Sequence, residues 1–125
     1  MHIGVIPDGN RRFMKKKGIA SLGESYDLGI NKFYDFFGWC IDLGVDEVTV
    51  YALSSENLEN RGVLEIKTLL SVFSKQAKDM VKDERIHRNK VLVRICGDKE
   101  LLTKKGGRDA LKELEKLEKE YFNNL

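Results

Sequence analysis

The sequence predicts an α/β fold, a parallel sheet of about three strands flanked by helices, in the order β-α-α-β-α-β-α. Three observations carry that expectation. Short apolar or β-branched runs at His2–Ile6, Glu47–Leu53 and Val91–Cys96 read as strands. Stretches with apolar residues at helical spacing separate them. Strands that alternate with helices pair in parallel, and right-handed crossovers would set all three strand ends on one side.

Each element has its own signal. Pro7, the one proline, follows strand one, and its missing N–H ends the ladder there. Asn10–Lys17 reads as a short basic helix or turn closed by Gly18. Ser21-Leu22-Gly23-Glu24 fits a capping box and opens a helix to about Leu43, with Gly44 as its stop. Tyr26, Ile30, Phe33, Phe37 and Cys40 share one face of it. Tyr34, Phe36, Trp39 and Ile41 widen that face, so the helix should be buried on more than one side or wall an apolar cavity.

In strand two, Val48, Val50 and Ala52 alternate with Thr49, Tyr51 and Leu53 before the polar loop Ser54–Asn57. A helix from about Val63 to Arg85 buries Ile66, Leu69, Leu70, Phe73, Ala77, Met80 and Val81. Its lysines read as solvated surface. Gly97-Asp98 turns the chain after strand three, and Asp98 is expected to be structural. The last helix, about Gly107 to Phe122, carries the stripe Ala110, Leu114, Leu117 and Tyr121. Lysines and glutamates on its other faces favour local ion pairs.

Length and composition bound the function. The 125 residues suit one domain, 1–125, with a real core. A net charge of +2 is too small to imply a nucleic acid, so any anion preference is local. No apolar run approaches the ~18 residues of a membrane span, which leaves at most peripheral membrane contact. No signal peptide is expected, since the first strand begins almost at Met1. Cys40 and Cys96 match no metal spacing and have apolar neighbours, so both are expected buried and reduced, in the cytoplasm.

The chemistry concentrates in Asp8-Gly9-Asn10-Arg11-Arg12. A strand that turns sharply into a helix presents free backbone N–H groups, which favour an anion. Gly9 permits close approach, Arg11 and Arg12 offer forked donors for phosphate, and Asp8 offers a carboxylate. A carboxylate beside phosphate-binding arginines suggests a magnesium–phosphate site. Asp-Gly-Asn is also ordinary turn chemistry. Likewise Ser54–Asn57, at the strand end where open α/β sheets bind ligands, can hold phosphate or cap the next helix.

Taken together, these motifs resemble the cis-prenyltransferases, the undecaprenyl diphosphate synthase family. That family opens with a strand and Asp-Gly-Asn-Arg/Gly-Arg, then usually tryptophan; here Asp8-Gly9-Asn10-Arg11-Arg12-Phe13 stands there. Its second strand ends Tyr-Ala-Phe-Ser-x-Glu-Asn-Trp, followed by Arg-Pro. Here the residues are Tyr51-Ala52-Leu53-Ser54-Ser55-Glu56-Asn57-Leu58, then Arg61-Gly62, one residue late. Arg94-Ile95-Cys96-Gly97-Asp98 resembles its Arg-x-x-Gly-Asp. Glu24 replaces the family's histidine, and the arginine usual near Ala20 is absent. Nothing after Asp98 resembles the family's carboxyl-terminal half, with its Arg-x-Ser segment and further arginines.

The resemblance implies half of a cis-prenyltransferase domain. It implies condensation of isopentenyl diphosphate with an allylic diphosphate such as farnesyl diphosphate, to give a cis-polyprenyl diphosphate. Asp8 would engage Mg²⁺ and, with Asn57, serve catalysis. Gly9, Asn10, Arg11, Arg12, Phe13, Ser54, Ser55, Glu56 and Arg61 would contact substrate. A homodimer or a complementing subunit is the expected assembly. An incomplete or non-catalytic subunit is the alternative. An unrelated phosphate-binding α/β domain would need a Walker or dinucleotide glycine motif, and the sequence has neither.

Overall fold

The computed structural model describes residues 1–122; of Asn10, Arg11, Tyr121 and Phe122 only the backbone is described. The stripe position Tyr121 therefore lies outside the described side chains. The chain divides into two compact units, Met1–Asn57 and Leu58–Leu125.

In the first unit, β1 (His2–Val5) leads to α1 (Asn10–Lys17), α2 (Leu22–Asp42) and β2 (Glu47–Val50). β1 and β2 pair in parallel, from His2 opposite Glu47 to Val5 opposite Val50. The pleat puts Ile3 and Val5 on one face with Val48 and Val50, all half-buried. On the other face His2 Nε2 meets Thr49 Oγ1 at 2.7 Å. The Tyr51 N–H extends the ladder to Val5 O at 2.9 Å. The α/β class and the parallel pairing are as expected.

The helices of this unit begin and end on their expected signals. Ser21 Oγ accepts the Glu24 N–H at 3.1 Å, capping α2. Gly18, at φ 66°, closes α1 in the left-handed conformation. α1 packs on α2, which buries Ser25, Tyr26 and Cys40. Of the wide apolar surface of α2, Ile30, Phe33, Tyr34, Phe36, Phe37 and Ile41 are half-buried, while Trp39 is 54 % exposed and Leu28 is exposed too.

The second unit is helical. It holds α4 (Val63–Val81), α5 (Glu84–Arg88), α6 (Lys99–Lys104) and α7 (Arg108–Phe122), while α3 (Ser55–Asn60) spans the boundary between units. α4 packs along α7, burying Ile66, Leu69, Leu70, Val72 and Ala77 from one and Ala110 and Leu117 from the other.

Four expectations are corrected here. Val91–Cys96 forms no strand among the described residues; the Ile95 N–H is taken instead by Glu118 of α7, at 2.6 Å. The helix from Val63 stops at Val81, because Asp83 starts a new one by accepting the Arg85 N–H at 2.9 Å. A separate helix, α6, precedes the last one: Asp98 Oδ1 accepts the Leu101 N–H at 2.9 Å, which gives Asp98 the structural role expected. Cys96 is exposed, whereas Cys40 is buried as expected.

Candidate functional site

The parallel register fixes the geometry of the site. β1 and β2 run in the same direction, so Ile6–Asp8 and Tyr51–Ser54 leave the sheet at one edge. Both candidate motifs of the first unit therefore begin at the carboxyl ends of adjacent strands, where open α/β sheets take ligands.

The first motif is a tight turn into α1. Gly9, at φ 90° and ψ 7°, is the residue before the helix. That left-handed conformation is strained for any residue with a Cβ, which explains glycine there. The Gly9 carbonyl accepts the Phe13 N–H at 2.8 Å and starts the helix ladder. No side chain caps this N-terminus among the described residues, so its first amides remain for an anion. Asp8 Oδ1 accepts the Gly9 N–H at 2.7 Å, and Oδ2 lies 3.4 Å from Arg12 Nη2.

Both partners of this ion pair are open to solvent, Asp8 at 76 % and Arg12 at 82 %. An exposed pair of this kind is worth little, so either side chain is released at small cost to a phosphate or a cation. Phe13 is 41 % exposed beside them. The side chains of Asn10 and Arg11 lie outside the described residues.

The second motif is a helix cap. Ser54 Oγ accepts the Asn57 N–H at 3.0 Å, and Asn57 Oδ1 accepts the Ser54 N–H at 3.3 Å. This reciprocal pair starts α3. The expected polar loop is thus the first turn of a helix. Both side chains are half-buried, while Ser55 and Glu56 are exposed.

Arg61 belongs to the second unit. Its Nε lies 3.6 Å from Glu65 Oε1, one helical turn on, and both side chains are largely buried, at 23 % and 16 % exposed. No hydrogen bond reaches that Nε among the described residues. Reading the sequence passed over Glu65, although its spacing from Arg61 is the one that pairs charges on a helix. Glu24, at the family's histidine position, is exposed and contributes its backbone N–H to the α2 cap.

The donor set bears on the expected magnesium ion. No group of three histidine, cysteine or acidic side chains converges among the described residues, so no all-protein metal cage forms. An exposed carboxylate beside the uncapped start of a helix does suit Mg²⁺, which commonly takes one or two carboxylates and completes its shell with phosphate oxygens and water.

Comparison with known proteins agrees with the motifs. The family model for undecaprenyl diphosphate synthase, a prenyltransferase family, matches residues 6–124. The chain is 46 % identical over 120 residues to a tritrans,polycis-undecaprenyl-diphosphate synthase (geranylgeranyl-diphosphate specific) of Methanopyrus kandleri, covering 96 % of this chain and 43 % of that protein. A protein of the same name from Pyrobaculum aerophilum is 41 % identical over 123 residues, covering 98 % and 50 %. An isoprenyl transferase of Thermus thermophilus is 35 % identical over 99 residues, covering 79 % and 37 %. The chain spans about half the length, or less, of these curated relatives.

Proposed function

The chain belongs to the undecaprenyl diphosphate synthase family of prenyltransferases, and from that premise we propose that it takes part in cis-prenyl chain elongation. An allylic diphosphate and isopentenyl diphosphate are joined by a new carbon–carbon bond. Diphosphate leaves and a proton is lost. One observation carries this reading: the glycine turn at Asp8–Arg12 and the Ser54–Asn57 pair begin at the same sheet edge.

In this proposal Arg11, Arg12 and the first amides of α1 hold the allylic diphosphate. Their positive charge stabilises it as it departs, the effect that usually contributes most to such catalysis. Asp8 would hold Mg²⁺, which would supply further charge to offset that of the leaving group. Phe13 lines the allylic end, and Ser54, Ser55 and Glu56 complete the substrate contacts of this unit. Asn57 is a weak base, so its part is to position the reacting groups or to relay the proton towards diphosphate. The half-buried Asn57 amide, held by Ser54, is suited to fixed positioning.

No helix is long and apolar enough to cross a membrane among the described residues. The proposed setting is the cytoplasm, with contact limited to the membrane surface. The working assembly is a homodimer or a pair with a complementing subunit.

A second reading, favoured by the coverage of about half of the relatives, is a subunit or fragment that turns over only with the remaining half supplied. The test is incubation of the chain with Mg²⁺, labelled isopentenyl diphosphate, and either farnesyl or geranylgeranyl diphosphate. Extended products that disappear in Asp8→Ala support the autonomous enzyme. Products formed only after the carboxyl-terminal half of a relative is added, and again lost in Asp8→Ala, support the second reading. Products that persist in Asp8→Ala overturn the role given to Asp8.

A further inference from the structure

We propose that α1 is a membrane-docking surface whose Lys15, Lys16 and Lys17 bind the headgroups of anionic lipid. The helix carries Arg11, Arg12, Lys15, Lys16 and Lys17 and no acidic residue, in a chain whose net charge is only +2. Positive charge is therefore gathered on this one element while the rest of the chain is net acidic.

Helical geometry displays that charge. Met14 is half-buried, and α1 packs on α2. Arg12, Phe13, Lys15, Lys16 and Lys17 are all exposed. Arg12 and Lys16 stand one turn apart on the same face, with Lys15 beside them. Elsewhere some lysines sit in ion pairs, Lys32 with Asp35 at 3.6 Å, Lys104 with Glu100 at 3.5 Å and Lys116 with Glu113 at 3.5 Å, and the exposed lysines of α4 and α7 are interspersed with acidic residues of the same helix. Among the described residues Lys15, Lys16 and Lys17 have no such carboxylate. One cation in the last turn offsets the helix dipole, and three in succession exceed that need.

The apolar residues nearby favour lipid over nucleic acid. Phe13 falls between Lys16 and Lys17 around the helix, and Ile6, exposed, lies just upstream at the end of β1. Cations ringed about an exposed aromatic suit the boundary between headgroups and acyl chains. At ~1.5 Å per residue the helix is about 12 Å long, a footprint for a few headgroups and a short track for a nucleic-acid backbone. The docking surface goes beyond the proposed chemistry; it adjoins Arg12 and Phe13, which that proposal gives to substrate, and is tested through Lys15–Lys17 without substrate or turnover, so the two are distinguished.

The experiment is co-sedimentation of the chain with phosphatidylcholine vesicles, with and without roughly 30 % phosphatidylglycerol. Binding is expected only to the anionic vesicles and is expected to fall steeply at about 0.5 M NaCl. At roughly fivefold per lysine, Lys15→Gln/Lys16→Gln/Lys17→Gln weakens it on the order of a hundredfold, with helicity by circular dichroism retained. Lys16→Gln alone gives about a fivefold loss and serves if the triple variant does not fold. Lys112→Gln/Lys119→Gln, exposed lysines on α7, leaves binding unchanged. The proposal is overturned by absent binding, by equal binding to neutral vesicles, or by undiminished binding of the Lys15–Lys17 variants. Tighter binding to a single-stranded DNA oligonucleotide than to anionic vesicles at equal phosphate also overturns it.

Discussion

Glu118 Oε2 accepts the Ile95 backbone N–H at 2.6 Å, across 23 positions of sequence. A side chain of α7 thus satisfies a donor that a neighbouring strand would otherwise take. Losing it leaves a half-buried N–H without its acceptor, which costs about 1–3 kcal/mol. Glu118→Ala is therefore expected to lower stability by that order in urea titration and to speed amide exchange at Ile95. Glu118→Gln keeps an acceptor but loses the charge, so its effect should be smaller.

Gly107 is buried just before α7, and a Cβ built there lies 2.7 Å from Leu102 Cδ1 and 2.8 Å from the Leu102 carbonyl oxygen. A side chain can turn away, but a backbone carbonyl cannot without moving the loop between α6 and α7. Gly107→Ala is expected to cost about 1–3 kcal/mol, as overpacking does. Thermal unfolding measures it. Gly106→Ala, strained by its φ of 90° yet open in space, separates backbone strain from collision.

Much of this was legible in the sequence, for physical reasons. Ser21, Gly18 and Gly44 act locally, through bonds a few residues long, so their signals read directly. The pairing of β1 with β2 followed from the helices between them. The apolar run Val91–Cys96 misled because alternation reports burial and not which group meets the backbone. A carboxylate on a distant helix gives the same pattern as a strand. Asp83 is a cap set inside a charged stretch, where it looks like ordinary surface, and Asp98, read as a turn residue, proved to be the cap of an unexpected helix. In the site, the residue types at Asp8–Arg12 were readable, but the Asp8–Arg12 pairing and the Arg61–Glu65 pair needed coordinates.

Asp83 gives stability a dependence on pH. The Arg85 guanidinium holds its carboxyl below the ordinary carboxylate range by hydrogen bonds of 3.2 and 2.9 Å, against an opposing effect of burial. A folded-state pKa below the unfolded value means that the unfolded chain binds the proton more readily. The contribution is then fully present above the unfolded pKa of about 4 and is lost as pH falls through the folded value. Arg85 is partly exposed, so solvent moderates its size. Asp83→Asn is expected to narrow its stability gap to the parent chain as pH drops below about 4, with the gap constant near neutrality. Urea midpoints across that range check it.

Ser54 and Asn57 are joined twice, by the Asn57 N–H on Ser54 Oγ and the Ser54 N–H on Asn57 Oδ1. The pair starts α3 and also stands at the sheet edge proposed for the substrates. Those two uses predict different outcomes for different substitutions. Ser54→Ala removes one cap bond and should cost about 1 kcal/mol, the usual loss for a cap. Ser54→Thr keeps an oxygen for the Asn57 N–H and should be near neutral in stability. Asn57→Asp keeps the acceptor for the Ser54 N–H, so the helix start should survive. It adds a negative charge at the same sheet edge as the turn proposed to hold the diphosphate, however, and should weaken allylic diphosphate binding in calorimetry. A variant that folds like the parent but binds less would assign Asn57 to the ligand. Unchanged binding in a well-folded Asn57→Asp would leave the pair as a cap alone.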